Sequence, residues 1–350
     1  MADCDNLSAV LHRALDLRLE QRPIPEPGPG EVLLRVLCVG ICGSDVHYWN
    51  HGRTARFVVE SPLVLGHETA AQVVRCGPDV SHLQPGTVVA LEPGVPCRRC
   101  SLCRGGRYNL CPRMRFHATP PVDGTLTRYF VHPADFCFRL PDHMSAEDGA
   151  LLEPLAVAVH SCRRARVGPQ SRVLVTGAGP IGQVSVLVAK AMGATHICIT
   201  DINEGRLQFA RKLGADSAVC VAGMGVEEAA AAVVAAGGPP TAALECSGAD
   251  SSLVTAIHAA DAGCVIATVG RGSLEPLLPV PLLTAKEVEI CGIFRYANCY
   301  PAALALLASG AVNARQLISH RFTLEEVEEA FQAAKSGVAI KVMIKVGEKS

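Results

Sequence analysis

Four cysteines lie within one short stretch of the chain, and their spacing fits a metal site. Cys97, Cys100, Cys103 and Cys111 are separated by two, two and seven residues. Four thiolates this close in sequence can supply the whole tetrahedral shell of a structural Zn²⁺. The stretch therefore predicts a structural zinc lobe around residues 92–115.

A second group of candidate ligands is of a different kind. Cys42 lies in a Gly-rich turn after an apolar run, and the triplet Gly66-His67-Glu68 follows another apolar run. A thiolate, an imidazole and a carboxylate together are expected of an open, catalytic zinc. Two metal sites of different character indicate an enzyme rather than a zinc finger.

A glycine motif follows a predicted strand in the second half of the chain. Gly177, Gly179 and Gly182 form a GxGxxG pattern between the strand Arg172-Val-Leu-Val-Thr176 and a predicted helix. Gly177 allows a tight turn, Gly179 lets the backbone approach a pyrophosphate, and Gly182 allows close packing of the helix. The helix N-terminus supplies free N–H groups for an anion, so the motif predicts a dinucleotide site.

The cofactor preference depends on two residues further on. Asp201 follows Gly182 by nineteen residues, at the end of the next predicted strand. A carboxylate there accepts hydrogen bonds from the adenosine ribose and repels a 2′-phosphate, which favours NAD over NADP. Arg206 leaves an alternative open, since it either accommodates a 2′-phosphate, covers the adenine or pairs with Asp201.

Composition limits the classes of partner. The chain has 350 residues, 19% of them charged, and a net charge of −1. We expect two globular domains and find no block of Lys or Arg that would follow a phosphate backbone, so neither nucleic acid nor a membrane is predicted as a partner. The sixteen cysteines and an N-terminus without an apolar signal segment predict a reducing, cytoplasmic location.

The texture of the sequence changes near residue 171. The first part has short strand-like runs separated by Gly and Pro turns, which predicts an irregular, mostly β domain. Beyond residue 171, five-residue apolar strands alternate with amphipathic helices, the pattern of βαβ units on a parallel sheet. The final predicted strand, residues 341–345, could return to the first domain. The fold class is α/β.

The motifs together resemble one family over almost the whole chain. The chain is similar to the zinc-dependent medium-chain dehydrogenases, and within them to the polyol-oxidising branch. The resemblance is carried by residues 40–49 around Cys42, Gly66-His67-Glu68, the four-cysteine lobe, Leu152-Glu153-Pro154-Leu155, the glycine motif, Val269-Gly270 and Phe294-Arg295-Tyr296. It implies a GroES-like catalytic domain of residues 1–155 and 297–350, and a Rossmann doubly wound nucleotide-binding domain of residues 156–296.

The resemblance also implies metal ligands and a relay. Cys42, His67 and Glu68 would bind the catalytic zinc, with Glu153 as a fourth ligand or a neighbour that holds a water molecule. The four cysteines of the lobe would bind the structural zinc. Ser44 and His47 are the nearest candidates for a proton relay, although Ser44 could instead cap the helix that begins there.

Further residues are assigned to the substrate and the cofactor. The resemblance places Tyr48, Phe116, Thr119, Glu153, Arg295 and Tyr296 at the substrate. The cofactor contacts expected besides the glycines, Asp201 and Arg206 are Ile181, Val269, Gly270, Arg271, Ile293, Phe294 and Arg295.

The implied activity is NAD-dependent oxidation of a polyol to a ketose, such as sorbitol to fructose or xylitol to xylulose, and the reverse reduction. Zinc would act as a Lewis acid on the substrate hydroxyl while hydride passes to the nicotinamide. Arabinitol, threonine and butanediol dehydrogenases stay open as alternatives, as does a binding protein without catalysis. The resemblance implies a homotetramer, and the strand 288–291 could pair between subunits at a sheet edge.

Overall fold

The computed structural model describes residues 5–347. Its strands are β1 (Leu7–Arg13), β2 (Asp16–Gln21), β3 (Glu31–Gly40), β4 (Arg53–Thr54), β5 (Phe57–Val58), β6 (Leu63–Val64), β7 (Glu68–Cys76), β8 (Val88–Leu91), β9 (Gly94–Val95), β10 (Arg115–Phe116), β11 (Tyr129–Pro133), β12 (Cys137–Arg139), β13 (Arg172–Thr176), β14 (His196–Asp201), β15 (Ser217–Cys220), β16 (Ala242–Glu245), β17 (Val265–Thr268), β18 (Glu289–Gly292), β19 (Ile318–Thr323) and β20 (Lys341–Lys345).

Among the described residues the α-helices are fewer than the strands but mostly longer. They are α1 (Gly43–His51), α2 (Ser101–Arg104), α3 (Ala146–Ala150), α4 (Leu152–Arg164), α5 (Pro180–Ala191), α6 (Glu204–Leu213), α7 (Val226–Gly237), α8 (Asp250–Ala259), α9 (Val280–Lys286), α10 (Tyr300–Ala308) and α11 (Val327–Lys335). Four 3₁₀ turns lie at residues 108–110, 134–136, 314–317 and 324–326. No helix among residues 5–347 is long and apolar enough to cross a bilayer.

The first compact unit consists of residues 5–153 and 314–347. Its main sheet has the order β12-β8-β7-β3-β20-β19, and β11 also pairs with β3. The long strand β3 lies in the middle, where Val32, Leu34 and Val36 are fully buried. Smaller sheets, β2-β1-β6, β9-β10 and β4-β5, complete this mostly β unit. The predicted return of strand 341–345 is observed, because β20 pairs with β3.

The second unit, residues 154–313, is built on a parallel sheet. Its order is β15-β14-β13-β16-β17-β18, and every neighbouring pair is parallel. Within the unit this is the order 3-2-1-4-5-6, with the reversal between β13 and β16. Parallel strands covered on both faces are nearly continuous apolar runs, as in β13, of which four residues are buried.

The division of the chain into compact units differs from the predicted domain bounds near residues 155 and 296. The structure divides the chain after Glu153 and again after Asn313. Residues 297–313 belong to the second unit because they pack on helix α4. Arg163 donates to the backbone oxygen of Asn298 at 2.9 Å, the Tyr300 ring lies 5.7 Å from the ring of Tyr296, and Tyr300 is 1% exposed.

Candidate zinc and nucleotide sites

Cys42 begins helix α1 and is its N-cap. Its backbone N–H donates to Oδ2 of Asp45 at 3.1 Å, so the carboxylate three residues on closes a capping box. The cap excludes the alternative in which Ser44 caps this helix, because Ser44 is already its second residue. Asp45 is 1% exposed and is therefore a buried carboxylate at the base of the cluster.

The same carboxylate holds the second part of the cluster. Oδ1 of Asp45 accepts a hydrogen bond from the backbone N–H of Gly66 at 3.2 Å and lies 3.3 Å from Nδ1 of His67. Gly66 has φ +88, and a Cβ there would lie 2.8 Å from Cγ of Leu126, so only glycine fits. Asp45 thus connects the turn that carries Cys42 with the turn that carries His67.

Cys42, His67 and Glu68 converge as predicted. One ligand atom from each lies within 4.8 Å of the others, and His67 and Glu68 are buried. Burial alone would lower the pKa of His67, but the charges of Asp45 and Cys42 outweigh it and hold that pKa well above its usual value. A site whose groups hold an extra proton on an imidazole attracts cations, and the mixed donor set suits Zn²⁺.

Glu68 already has a cation at its carboxylate. Its two oxygens accept from Nζ of Lys341 at 2.8 and 2.7 Å, and both side chains are buried. Burial would lower the pKa of Lys341, yet the charges of Glu68, Cys42 and Glu153 raise it. The ammonium group is therefore part of the charge balance of the cluster.

Glu153 is outside the group that shares the 4.8 Å limit, and its charge acts on Lys341. It is 5% exposed, near the start of α4. Glu92 is a second buried carboxyl close by. Burial raises its pKa to about 7; a hydrogen bond from Tyr108 opposes this shift and the charge of Glu153 adds to it.

The predicted substrate residues of the first unit are placed at different depths. The Phe116 ring lies 5.7 Å from the imidazole of His67, so the structure brings these two together. Tyr48 is buried on α1, whereas His47 is exposed and stacks on His51 at 5.9 Å. Thr119 donates its backbone N–H to the backbone oxygen of Phe116 at 3.1 Å, which ties it to the same turn.

The four cysteines of the lobe also converge. The Sγ atoms of Cys100 and Cys103 are 3.4 Å apart, those of Cys97 and Cys103 are 3.8 Å apart, and those of Cys100 and Cys111 are 3.9 Å apart. Sulfur atoms about 2.3 Å from a shared zinc ion lie about 3.8 Å from one another. The observed spacing fits a tetrahedral zinc site.

Donors around the lobe favour thiolates. The backbone N–H of Cys100 donates to Sγ of Cys97 at 3.4 Å, and the Arg113 guanidinium donates to the same sulfur at 3.3 Å. Such hydrogen bonds, with that of the Arg99 backbone the strongest, lower the pKa of Cys97 to about 5. Burial and its thiol neighbours raise the pKa of Cys103 to about 12. A dication that binds all four sulfur atoms would offset this difference in pKa between Cys97 and Cys103.

In the second unit the glycine motif lies where the sheet order reverses. Gly177 follows β13 with φ +87, and a Cβ there would lie 2.8 Å from Cα of Ser247. Gly179 is the N-cap of α5 and has open space within 4 Å of its would-be Cβ. The motif therefore leaves a gap in front of a helix N-terminus, which suits a pyrophosphate.

A cavity of about 380 Å³ opens beside this motif. Of the predicted residues it is lined by Gly177, Gly179, Asp201 and Arg206. Asp201 is fixed by two backbone donors, Ala178 N–H at 2.6 Å and Asn203 N–H at 2.8 Å. The carboxylate is thus held at the end of β14, where an adenosine ribose would reach it.

The other predicted cofactor residues do not line this cavity. Ile181, Gly182, Val269, Gly270, Arg271, Ile293, Phe294 and Arg295 are absent from its walls. Gly270 lies past the end of β17 and packs against Gly248. A Cβ at position 270 would lie 2.8 Å from Cα of Gly248. The Arg295 guanidinium covers the ring of Phe294 at 4.8 Å, and Tyr296 is 2% exposed.

Several site residues were missed from the sequence. Asp45 lies within residues 40–49, but the sequence alone assigned no role to it. Its position three residues after the N-cap is a capping signal. Lys341 opens a strand whose next three residues are apolar, and a lysine before such a run indicates a buried partner. Ile202, Val221, Met224 and Thr255, which line the cavity, carry no sequence signal of their own.

Comparison with known proteins agrees with this geometry. Residues 28–142 match the alcohol dehydrogenase GroES-like domain, and residues 180–309 match the zinc-binding dehydrogenase family. A sorbitol dehydrogenase of Gallus gallus is 50% identical over 341 residues, 97% of this chain and 96% of the relative.

Two solved structures hold a nicotinamide cofactor. An alcohol dehydrogenase of E. coli CFT073, complexed with NADH, aligns with a TM-score of 0.90 at 27% identity over 97% of this chain and 99% of the other. A zinc-binding dehydrogenase of Sinorhizobium meliloti 1021, bound to NADP, aligns with a TM-score of 0.90 at 27% identity over 97% of this chain and 99% of the other.

The chain belongs to the zinc-dependent medium-chain alcohol dehydrogenase family. Within the family, the similarity to sorbitol dehydrogenase over nearly the full length confirms the predicted polyol-oxidising branch. The predictions of a GroES-like domain with a Rossmann domain, and of zinc and a nicotinamide nucleotide as cofactors, are confirmed with it.

Proposed function

We propose that this protein oxidises a secondary alcohol of a polyol to a ketose with NAD, as in sorbitol to fructose or xylitol to xylulose, and catalyses the reverse reduction. The observation that carries the proposal is the convergence of Cys42, His67 and Glu68 within 4.8 Å, in a chain half identical to a sorbitol dehydrogenase. The thiolate, imidazole and carboxylate set suits a zinc with an open position.

In this proposal Cys42, His67 and Glu68 hold the catalytic zinc. When bound, the metal supplies a Lewis acid for the substrate hydroxyl, and NAD supplies the hydride acceptor. Asp45 faces Nδ1 of His67 at 3.3 Å, which leaves Nε2 as the ligand atom. The buried carboxylate of Asp45 therefore orients the imidazole.

Glu153 takes the role of a neighbour that holds water, since it lies outside the three-residue group. Its carboxylate would accept hydrogen bonds from a water molecule or a substrate hydroxyl. Ser44 and the exposed His47 carry the released proton towards solvent. Neither group needs to touch the metal for this task.

The substrate is assigned to Tyr48, Phe116 and Thr119, and the family resemblance adds Arg295 and Tyr296. Phe116 packs on His67 and excludes water from the imidazole. The Arg295 guanidinium offers a planar set of donors for neighbouring hydroxyl groups. A polyol presents several such hydroxyls, which a simple alcohol lacks.

The nucleotide binds at the glycine motif, with its ribose at Asp201. The fixed carboxylate disfavours a 2′-phosphate, so NAD is the cofactor even though one structural neighbour holds NADP. Ile181, Val269, Gly270, Arg271, Ile293 and Phe294 are assigned to the remaining length of the cofactor. The four lobe cysteines hold the second, structural zinc.

The protein is also proposed to be a homotetramer in the cytoplasm. Strand β18 ends the parallel sheet with an outer side that no described strand pairs, and Ile290 on it is 38% exposed. An edge of this kind is a template for pairing with a second copy. All fifteen described cysteines are free thiols, which suits a reducing compartment. A solution mass near one 36.8 kDa chain would contradict the tetramer.

The test is a comparison of initial rates with NAD on sorbitol, xylitol, L-arabinitol, L-threonine and 2,3-butanediol, in both directions. We expect sorbitol or xylitol to give the highest kcat/KM. Turnover of threonine or butanediol alone would overturn the polyol assignment. Zinc analysis on the same sample should give about two ions per chain.

A further inference from the structure

A buried lysine lies against the candidate catalytic cluster, and the reaction does not use it. Lys341 is 3% exposed, and its Nζ has three partners. It donates to Glu68 Oε1 at 2.8 Å, to Glu68 Oε2 at 2.7 Å and to the backbone oxygen of Ile41 at 3.2 Å. An ammonium has three N–H donors, so all of them are used.

The sheet is built to let this contact form. Glu68 begins β7, Gly40 ends β3, and Lys341 begins β20, and the strand order is β7-β3-β20. Gly40 is opposite Glu68 in one pair and opposite Met343 in the other. The Glu68 side chain therefore crosses the middle strand to reach Lys341.

Glycine at position 40 is what makes that crossing possible. A Cβ at Gly40 would overlap Oε2 of Glu68 and would lie 3.3 Å from its Cδ. The carboxylate occupies the space that any other residue would fill. Its position is thus fixed by the strand below it and by the ammonium beyond it.

Glu68, unlike an ordinary zinc ligand, has a cation on both oxygens. Outer partners that accept hydrogen bonds from ligands raise their basicity and strengthen metal binding. A donor with a full positive charge acts in the opposite sense, because it withdraws electron density and repels the dication. It also compensates a carboxylate that burial would otherwise leave uncompensated whenever the metal is absent.

We propose that Lys341 is a resident counter-cation. It keeps Glu68 in place and balances the negative charge of Glu68 when zinc is absent, and it lowers the affinity of the site for zinc. The proposal rests on the proposed role of Glu68 as a zinc ligand. Lys341 is a positioning residue, since it acts through Glu68.

The test uses the full chain with Lys341→Met, and Lys345→Met as the matched control. Lys345 lies on the same strand, is exposed, and has no contact with the cluster. Zinc release to a chelator is followed, and the phase that Cys42→Ser removes is assigned to the catalytic site. We expect K341M to slow that phase about tenfold or more, and K345M to leave it unchanged. An unchanged or faster phase in K341M would overturn the proposal.

Metal-free stability gives a second readout that activity does not. The increase in melting temperature on adding zinc should be larger in K341M than in the parent or in K341R, because zinc then supplies the missing positive charge. An equal loss of stability with and without zinc would mean ordinary packing. If K341M folds in neither condition, the double variant Glu68→Gln with Lys341→Met decides: recovery of folding supports the pair, and failure contradicts it.

Glu68→Gln alone separates the two proposals. If zinc binds E68Q as tightly as the parent, then Glu68 is not a ligand and the proposed function of the cluster fails. If E68Q loses zinc affinity while K341M releases zinc like the parent, the ligand assignment stands and the counter-cation is wrong.

Discussion

The four-cysteine lobe and the Cys42 cluster differ in how much of the chain each one needs. The lobe takes all its ligands from residues 97–111, and neighbouring backbone N–H groups direct them at one another. The buried cluster takes its ligands from the N-cap of α1, from the turn before β7 and from the first residue of β7, and its counter-cation from β20. A local segment builds the first, whereas long-range strand pairing builds the second.

The charge around the two sites differs as well. Six arginines and no acidic residue lie between residues 97 and 115, and Arg113 donates to Cys97. Four thiolates around Zn²⁺ carry a double negative charge, which exposed arginines balance in a solvated setting. The buried cluster instead has one lysine, Lys341, at the carboxylate of Glu68.

The difference teaches that similar metal chemistry can rest on separate supports. The lobe depends on spacing and should tolerate changes elsewhere, while the cluster depends on the β3, β7 and β20 registers. Damage to either one should leave the other loaded. Four experiments test that separation.

The largest effect is expected from Cys42→Ser or His67→Ala. Loss of a ligand removes the Lewis acid, which contributes several kcal/mol, so turnover should fall by about a thousandfold or more. NADH affinity, measured by fluorescence titration, should stay within about twofold because the glycine motif lies in the other unit. Zinc content should fall from two ions to one. Loss of both ions would end the claim of separate supports.

Cys103→Ser should act on stability rather than on turnover. Losing the lobe metal should lower the free energy of unfolding by about 3 kcal/mol or more, seen in thermal melting with zinc analysis. Cys76→Ser is the control, since Cys76 lies outside both groups and only donates to the backbone oxygen of Leu83. A folded C103S sample without turnover would show that the lobe is needed for the chemistry.

A pH experiment tests the contact between the two regions. Tyr108 of the lobe donates to Glu92 at 2.6 Å, and burial raises the pKa of Glu92 from 4.5 to about 7. Because the pKa of Glu92 is higher in the folded state, Glu92 contributes its full stability below pH 4.5, and this contribution is lost as the pH rises through 7. The loss is on the order of 3 kcal/mol. Glu92→Gln should therefore flatten the melting temperature between pH 5 and 8. Parallel curves for variant and parent would refute it.

The smallest effect concerns the nucleotide. Asp201→Ala should shift the ratio of kcat/KM for NADP over NAD by about tenfold, or roughly 1.4 kcal/mol, because the repelling carboxylate is gone. Asp216→Ala is the control, as Asp216 also accepts from a backbone N–H, that of Ile197 at 2.8 Å, but does not line the cavity. Both variants should keep two zinc ions. Unchanged selectivity in D201A would exclude the ribose contact.

The sequence predicted what depends on local spacing. The strands at 172–176 and 341–345 and the four-cysteine lobe lie where their patterns placed them. The joining of Cys42 to His67 came from the family resemblance, since periodicity cannot bring together residues on different elements. The Glu68 crossing over Gly40 could not be predicted, because it depends on strand register. The extent of the second unit to Asn313 depends on the tertiary packing of α10, which no local pattern in the sequence shows.

The partner of Glu68 lies 273 residues further along the chain. When only the first 153 residues have left the ribosome, Cys42, His67 and Glu68 have been made, but Glu68 has no ammonium beside it. The first unit can close only after the entire second unit has left the exit tunnel. Cotranslational assembly thus completes the nucleotide-binding unit, which comes second in the sequence, before the unit that begins first.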